Sequence, residues 1–499
     1  MNRTLNIAFT GAYEIANYGD HLFPLVFKYE LDKCNINYNL FLFSVFNGNQ
    51  AFDKKTPVYS LEDMESLHQQ YHFDVIIVGG GELIHLSSCK QLLSYDSVEY
   101  VNYRIFETWT IPSMMGLKYN IPVLWNAPGG QYNFPDSFHK LIKLLCRPVS
   151  YLSVRNYTTR DSLVNCGIPY EQITHVPDTA FEINKVYSPE FLLPIKNSIL
   201  DFKDSYIVFH ANRHIADENI QSIVSCLDSY CDSGYKIVLL PLAYTHNDQD
   251  ILNTISNHSK YSYITFNKML SLEETISILA FSELYVGISF HGAVTSIAYN
   301  RRAIIYDYIG SEKSIDLFKL VGKPDCYIND ITKLPTKIKE VLSQKPNYRL
   351  NDLDIQLEKH FDKIISFISG LPATNNTHDF SEFSEFIETI TKDTFDNLFV
   401  ISNNEKIINE AKEFINKQAS DYTKLKEFSD KQASDYARLK EFSDKQASDY
   451  YTLEKQLTKL QNENNELMNS LNIINSKYNK TLIGTLSRIC NKLKSKFNH

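Results

Sequence analysis

Residues 1 to about 370 repeat one pattern of hydrophobic and polar positions. Short β-branched runs end at Gly, Asn, Asp or His, and a segment with the apolar periodicity of a helix follows each run. This alternation predicts βα units, and the runs that are apolar throughout are typical of parallel strands covered on both faces. The clearest predicted strands are Leu5–Thr10, Asn39–Ser44, Val75–Val78, Val123–Asn126, Leu152–Val154, Tyr206–His210, Lys236–Leu240, Leu284–Ile288 and Ala303–Tyr306.

The length of this α/β region predicts two lobes. A single hydrophobic core rarely extends beyond about 250 to 300 residues. The stretch Asp178–Lys203, with Pro189 and Pro194 inside it, has the composition of a crossing between two domains. We therefore predict an N-terminal Rossmann-like lobe over residues 1–183 and a C-terminal Rossmann-like lobe over residues 184–370, facing a cleft.

After Leu371 the chain becomes polar and then helix-forming. Residues 371–402 are predicted to be a linker, and residues 403–478 a coiled coil in which a 14-residue unit starting with KQASDY recurs three times. A seam that repeats every seven residues implies a partner helix, so we expect a homo-oligomer; the alternative is a lone solvated helix. The better half of the seam comprises Tyr450, Leu453, Leu457, Leu460, Asn464, Leu467, Leu471 and Ile474.

Residues 479–499 are predicted to form a basic amphipathic tail. No acidic residue occurs from Lys477 to His499, and apolar residues recur on one helical face. Such a helix could lie on anionic lipid, or it could be a solvated or partner-bound helix end. The apolar face comprises Leu482, Leu486, Ile489, Leu493 and Phe497.

Composition and charge narrow the possible functions. With 43% apolar and 22% charged residues, the 499-residue chain has the composition of a folded protein. Its formal net charge of -9 argues against a sequence-independent nucleic-acid binder, which needs a cationic surface. The eight cysteines are scattered without a CxxC pair or a metal-ligand spacing, and no run of about 18 apolar residues occurs. We therefore expect reduced thiols, no metal site, no membrane-spanning helix and a cytoplasmic protein.

Residues that directly follow predicted strands are the first candidates for chemistry, because doubly wound sheets bind ligands at the carboxyl ends of their strands. After the first strand, Asn17, Gly19 and Asp20 lie in a turn that leads into a helix. The Asp20 carboxylate could hold an acceptor hydroxyl, or it could cap the helix.

A glycine-rich loop follows the strand Val75–Val78. Gly79, Gly80 and Gly81 would let backbone N–H groups approach a ligand closely, and Glu82 lies at the edge of the loop. The sequence is not the GxGxxG of dinucleotide-binding loops, and a tight turn between strand and helix is the alternative.

Two further strand ends carry an arginine and a histidine. Arg155 could contact an anion or form a surface ion pair. At 289–293, with the sequence SFHGA, an apolar strand runs into a helix of small residues, whose unpaired N–H groups could receive a phosphate. His291 would stand at that anion as a general acid; the alternative is a structural histidine.

These motifs, in this order, resemble those of the polysaccharide pyruvyl transferase family. NYGDHL follows the first strand, IIVGGG forms the glycine-rich loop, and SVR ends at Arg155. PDTAF lies at 177–181, SFHG at 289–292, and a Tyr-x-x-x-x-Lys stretch ends at Lys313. The similarity covers about residues 3 to 340 and does not extend to the predicted coiled coil.

The resemblance implies a two-lobed fold similar to GT-B glycosyltransferases, with the first lobe on the acceptor side and the second on the donor side. It implies transfer of pyruvate from phosphoenolpyruvate to a sugar as a ketal in surface polysaccharide biosynthesis, with no cofactor besides this co-substrate. The acceptor would be a lipid-linked or nucleotide-linked saccharide. The basic tail then suits peripheral contact with the inner face of the cytoplasmic membrane.

Ketal formation from phosphoenolpyruvate needs an acid, cationic groups and a base. We expect His291 to be the acid, and Asp20 or, second, Glu82 to be the base. Lys313 and Arg213 would hold the anionic donor. The full set of expected site residues is catalytic His291, Asp20 and Glu82, donor-binding Ser289, Gly292, Ala293, Arg213 and Lys313, and acceptor-binding Asn17, Gly19, Gly79, Gly80, Gly81 and Arg155.

Ser289 departs from the family pattern, because many members have Arg two residues before the histidine. This departure keeps open a catalytically degenerate assembly partner of a polysaccharide-synthesis complex. A GT-B-type glycosyltransferase that uses a nucleotide sugar is a second alternative with the same architecture.

Overall fold

The computed structural model describes residues 3–92, 100–130, 133–371 and 436–477. The chain divides into two units, Met1–Phe383 and Ser384–His499. The predicted linker beyond Leu371, the first part of the predicted coiled coil and the basic tail lie outside the described residues.

Apolar strands form the first sheet of the first unit, and Val75–Val78 at its centre is buried at every position. Within the described residues the sheet has eight strands in the order β12-β11-β9-β5-β1-β2-β4-β3, all parallel except the pair β3 and β4. The strands of this half are β1 Leu5–Thr10, β2 Tyr38–Ser44, β3 Gly48–Asn49, β4 Pro57–Ser60, β5 Val75–Val78, β6 Glu82–Ile84, β7 Cys89–Leu92, β8 Tyr100–Tyr103, β9 Val123–Trp125, β10 Gly129–Gly130, β11 Val149–Val154 and β12 Ile173–His175.

Helices connect these strands, as the alternating pattern predicts. They are α1 Leu22–Lys33, α2 Met64–Tyr71, α3 Glu107–Tyr119, α4 His139–Leu145 and α5 Tyr157–Asn165. The eight-stranded sheet and these helices are called the first lobe below. The chain then passes through α6 Ile183–Val186 and α7 Pro189–Ile199, where Ser188 caps α7 by accepting a hydrogen bond from the Phe191 N–H.

A second parallel sheet follows, with five strands in the order β14-β13-β15-β16-β17 among the described residues. This sheet and its helices α8 to α13 are called the second lobe. The strands are β13 Tyr206–His210, β14 Lys236–Leu239, β15 Leu284–Gly287, β16 Arg302–Tyr306 and β17 Tyr327–Ile328; the helices are α8 Asp217–Asp232, α9 Asp248–His258, α10 Leu272–Ala280, α11 Phe290–Ala298, α12 Glu312–Leu320 and α13 Leu334–Ser343.

All strands named from the sequence pattern are present, and Leu5–Thr10, Val75–Val78 and Tyr206–His210 have the predicted bounds. The α/β fold with parallel sheets is therefore confirmed. The last helix of this unit, α14 Leu350–Ser369, returns to the first lobe. There His360 accepts a hydrogen bond from the Tyr151 hydroxyl at 2.9 Å and donates one to Asn126 at 3.0 Å.

The loop after β1 joins the two lobes. Its Tyr18 N–H donates to the Leu242 carbonyl at 2.8 Å, and the Tyr244 N–H donates to the Ala16 carbonyl at 2.9 Å. The Tyr18 hydroxyl also lies 2.7 Å from the Thr295 hydroxyl on α11. These bonds fix the strand ends of the two sheets against each other.

In the second unit, Tyr436–Lys477 forms one helix, here α15. Of its side chains that the structure describes between 445 and 467, those on the predicted seam are half-buried and the others are exposed. The helix is thus present, and its pairing into a coiled coil stays a prediction. No described helix is long and apolar enough to cross a membrane. The half-buried side chains are Leu453, Leu457, Leu460, Asn464 and Leu467, together with Gln446, which stands at a seam position seven residues before Leu453.

Candidate active site

A cavity of about 320 Å³ lies between the loops that follow the strands of the two lobes. Both lobes contribute to its wall, as expected for ligand sites at the carboxyl ends of parallel strands. The predicted site residues that line it are Asn17, Asp20, Glu82, Arg155, Ser289, His291 and Lys313.

A buried ion pair fixes Arg155, which directly follows β11. The guanidinium donates through Nη1 to the carboxylate of Asp178, and both side chains are almost fully buried. Asp178 also caps the short helix Thr179–Glu182 by accepting from the Ala180 N–H at 2.8 Å. Burial alone would raise the pKa of Asp178, but the Arg155 charge and the contact with His291 lower it to about 2.

Glu82 connects the two lobes electrostatically. Its Oε1 lies 3.3 Å from Nη2 of Arg155, and its Oε2 accepts a hydrogen bond from Lys313 Nζ of the second lobe at 2.8 Å. Burial alone would raise the pKa of Glu82, yet Lys313 and Arg155 hold it well below its usual range. Glu82 is therefore ionised at neutral pH and is shared by two cations.

His291 lies in the first turn of α11, and 13% of its side chain is exposed. Its Nε2 is 3.5 Å from Asp178 Oδ2 and 3.4 Å from Arg155 Nη1. Burial lowers the pKa of His291, Asp178 opposes this, and the charges of Arg155 and Lys313 lower it further. The imidazole is thus neutral at pH 7 when the site holds no anion.

Gly19 makes the approach of His291 to the first lobe possible. A Cβ atom at position 19 would lie 1.8 Å from His291 Nδ1, which is far inside van der Waals contact. The ring of Phe23 packs edge-on against the imidazole, with 5.5 Å between ring centroids. Gly19 therefore acts on the site through packing against the histidine.

Asp20 is buried beside the same cations, in the turn before α1. Asp20 lies inside the turn Tyr18–His21, whose N-cap is Asn17, and the N-cap of α1 is His21, so Asp20 does not occupy the capping position considered from the sequence. Burial raises the pKa of Asp20 to about 7, although Arg155 and Lys313 act in the opposite direction. A carboxyl group with this pKa can gain and lose a proton near neutral pH.

The glycine-rich loop supports the site and does not line the cavity. A Cβ at Gly79 would lie 2.5 Å from the Thr10 carbonyl oxygen, and a Cβ at Gly80 would lie 2.2 Å from the ring of Phe23. Gly81 has φ +105°, a conformation that favours glycine, and its missing side chain leaves room for Asp20. This loop therefore positions Glu82 and Asp20.

Of the second-lobe residues predicted to hold the donor, Ser289 and Lys313 line the cavity and the others do not. Ser289 caps α11 by accepting from the Gly292 N–H at 3.3 Å. Gly292 packs against Tyr285, which a Cβ would approach to 2.5 Å, and Ala293 is fully buried. Neither of the last two lines the cavity. Arg213 is exposed and also lies outside the cavity lining.

Asp178, His210 and Asp248 make polar contacts at the site and were not among the site residues expected from the sequence. Asp178 lies in the PDTAF segment, where the motif was visible but the ion pair was not. His210 and Asp248 also line the cavity, and the position of His210 at the end of a predicted strand was the available signal. Among the described residues, no group of three or more His, Cys, Asp or Glu side chains is arranged to hold a metal ion.

Replacing Asp178 with Asn should lower the free energy of unfolding by about 3 to 5 kcal/mol, because the Arg155 charge would stay buried without its principal partner. Urea unfolding of the full-length protein measures this. The matched control is Asp161→Asn, since Asp161 pairs with Arg160 at the surface and should contribute less than about 1 kcal/mol. Equal effects of the two substitutions would contradict the assignment of Arg155 to a buried, Asp178-dependent position.

The solved structures to which the chain is similar include UDP-GlcNAc 2-epimerase from Methanocaldococcus jannaschii, at 15% identity, a TM-score of 0.49, and coverage of 74% of this chain and 99% of that one. The UDP-GlcNAc 2-epimerase from Rickettsia bellii is 11% identical, with a TM-score of 0.47 and coverage of 74% of this chain and 98% of that one. The enzyme from Neisseria meningitidis, bound to UDP-GlcNAc, is 10% identical, with a TM-score of 0.44 and coverage of 78% of this chain and 100% of that one.

No curated protein sequence matches the chain. A model of a protein family does match, and its description is polysaccharide pyruvyl transferase. The match extends over residues 17–311, which is more than half of the chain and includes the turn Asn17–Asp20, the glycine-rich loop, Arg155, Asp178 and His291. The chain therefore belongs to the polysaccharide pyruvyl transferase family.

Proposed function

We propose that this protein transfers pyruvate from phosphoenolpyruvate to two hydroxyl groups of one sugar, forming a cyclic ketal in surface polysaccharide biosynthesis. The observation that carries the proposal is the convergence of Arg155, Lys313 and His291 on one cavity between the lobes. Membership of the pyruvyl transferase family supports the same reaction class.

The charges of the site suit a strongly anionic donor. Arg155 comes from the first lobe and Lys313 from the second, so an anion between them would be held by both lobes. Glu82 already lies between the two cations, and an incoming carboxylate or phosphate would take over part of its contacts. The anion would also raise the pKa of His291, because negative charge favours the imidazolium.

Because the bound donor raises the pKa of His291, the imidazole takes up a proton and becomes the acid that the first step requires. His291 protonates the methylene carbon of phosphoenolpyruvate, and the double-bond electrons form the new C–H bond. This leaves a cationic carbon stabilised by its phosphate oxygen. A sugar hydroxyl adds to that carbon and passes its proton to Asp20.

The second half of the reaction releases phosphate. The bond from carbon to the phosphate oxygen breaks, its electron pair leaves with the phosphate, and the proton held by Asp20 departs with it. The second hydroxyl then adds to the cationic carbon, and its proton restores His291. Cations at Arg155 and Lys313 stabilise the leaving phosphate throughout.

The acceptor is a lipid-linked or nucleotide-linked saccharide in this proposal. Transfer at the cytoplasmic face of a membrane would suit the basic tail at 479–499, and the heptad seam of α15 would join copies of the chain. These two segments would deliver the enzyme to its acceptor, while the chemistry takes place in the cavity lined by Asp20, Arg155, His291 and Lys313.

Incubation with phosphoenolpyruvate and a panel of lipid-linked and nucleotide-linked saccharides should release inorganic phosphate and give a product with the mass of a pyruvyl ketal. His291→Gln should lower turnover about 10²-fold to 10⁴-fold, because the acid is lost. His258→Gln, at the exposed end of α9, is the matched control and should keep full activity. A wild-type protein that converts no acceptor, and is stabilised thermally by nucleotide sugars but not by phosphoenolpyruvate, would contradict the proposal.

The rate should depend on pH through Asp20, which must be ionised to accept the hydroxyl proton. Since its pKa is raised to about 7, kcat should fall about tenfold per pH unit below pH 7, and it should fall again at higher pH where His291 of the donor complex loses its proton. Asp20→Asn should remove this acid limb and lower kcat at pH 8, whereas Asp161→Asn should leave the profile unchanged. An Asp20→Asn variant that retains an acid limb near pH 7 would assign the base to another group.

A further inference from the structure

A histidine and an aspartate form a second polar group on the wall of the same cavity. His210 is the last residue of β13 and is 3% exposed, and Asp248 is the first residue of α9 and is fully buried. His210 Nε2 lies 2.8 Å from Asp248 Oδ2. Neither residue touches the Arg155 and Lys313 pairs described above.

The backbone around Asp248 fixes the state of this pair. The same Oδ2 atom accepts hydrogen bonds from the N–H groups of Leu242 at 3.2 Å and Ala243 at 2.7 Å. Because Oδ2 acts as an acceptor for these groups, His210 donates to it through Nε2. In the neutral imidazole, Nδ1 of His210 then carries a lone pair and is a hydrogen-bond acceptor.

Two acceptor atoms of this pair remain unsatisfied. Within the described part of the chain, His210 Nδ1 and Asp248 Oδ1 are buried and have no hydrogen-bond partner. A buried acceptor without a donor is destabilising, so such atoms are normally matched by a ligand or another group. Asp307, which also lines the cavity, differs because its oxygens accept from the N–H groups of Ile309, Gly310 and Ser311.

The cavity therefore has two parts, one lined by cationic side chains and one lined by hydrogen-bond acceptors. Arg155 and Lys313 present cations that attract an anion, whereas a carboxylate oxygen and an imidazole lone pair repel one and attract O–H or N–H donors. Phosphate and carboxylate groups of the donor are excluded from the second part. Sugar hydroxyls are neutral donors that would satisfy both acceptors.

We propose that His210 and Asp248 form the subsite that binds hydroxyl groups of the sugar acceptor, through His210 Nδ1 and Asp248 Oδ1. This rests on the proposed transferase function. It assigns acceptor recognition to the second lobe, whereas the sequence analysis assigned it to Asn17, Gly19 and the glycine-rich loop of the first. The loop that holds Asp248 is bonded to Tyr18, two residues before Asp20, so the subsite adjoins the turn that carries the proposed base.

Saccharide binding and donor binding can be measured separately on the full-length protein. The probes are an array of immobilised hexose and N-acetylhexosamine mono- and disaccharides, read in the presence of phosphoenolpyruvate, and the thermal shift produced by phosphoenolpyruvate alone. The variants are Asp248→Asn, which removes the charge, and His210→Phe, which keeps a ring and leaves Asp248 its backbone donors. Asp250→Asn, two residues along α9 and exposed, is the matched control.

The subsite variants should lose about tenfold to a hundredfold in saccharide affinity, the effect of hydrogen bonds to charged groups, with the phosphoenolpyruvate shift retained. The control should bind like wild type. Unchanged saccharide binding in His210→Phe, a wild-type protein that binds no saccharide, or loss of both ligands together would each overturn the subsite. A wild-type protein that binds saccharide but shows no phosphoenolpyruvate shift would instead contradict the donor proposal and leave the subsite standing.

Discussion

The buried Arg155 guanidinium is the group on which the rest of the site depends. Arg155 directly follows β11 and forms an ion pair with Asp178. Its guanidinium also contacts Glu82 and His291. A guanidinium has a rigid, planar set of donors, so one arginine can orient a carboxylate and an imidazole at the same time. Without the Asp178 carboxylate the charge would be too costly to bury.

This arrangement couples ligand binding to proton supply. Burial and two nearby cations lower the pKa of His291, while Glu82 balances the cations across the lobes. An anionic donor changes both conditions, since it competes with Glu82 and favours the imidazolium. The acid needed for the first step would then be present only when its substrate is bound.

The lobes meet through backbone hydrogen bonds that leave the position of the loops little freedom. The Tyr18 N–H donates to the Leu242 carbonyl and the Tyr244 N–H donates to the Ala16 carbonyl across the cleft. Gly19 lets His291 pack directly against the first lobe. A methyl group at position 19 would overlap the imidazole, so this glycine is a steric requirement of the site. The turn that carries Asp20 and the helix that carries His291 are therefore fixed relative to each other.

The fold was largely readable from the sequence because its central strands are mostly apolar and buried and alternate with segments of helical periodicity. Ile173–His175 and Tyr327–Ile328 escaped prediction, since edge strands of two or three residues have too few positions to show a pattern. At the site, the strand-end rule brought Asp20, Glu82 and Arg155 into view, and the structure brings them together.

The sequence did not show which side chains pair in three dimensions. Asp178 matters to the site because it forms an ion pair with Arg155. Asp248 matters because it contacts His210, which lies 38 residues before it in the chain. The glycine-rich loop shows the same limit: its composition suggested contact with a ligand, but its glycines are needed where Thr10, Phe23 and Asp20 come close. Arg213, chosen for its position after a strand, lies at the surface.

The most direct test of this account is the pKa of His291, measured by NMR on ¹⁵N-histidine-labelled protein, with the signal assigned by comparison with His291→Gln. The account predicts a pKa below about 6.5, the ordinary histidine value, in the free protein, and a clear rise when phosphoenolpyruvate is added. A His291 pKa that is the same with and without phosphoenolpyruvate would contradict it.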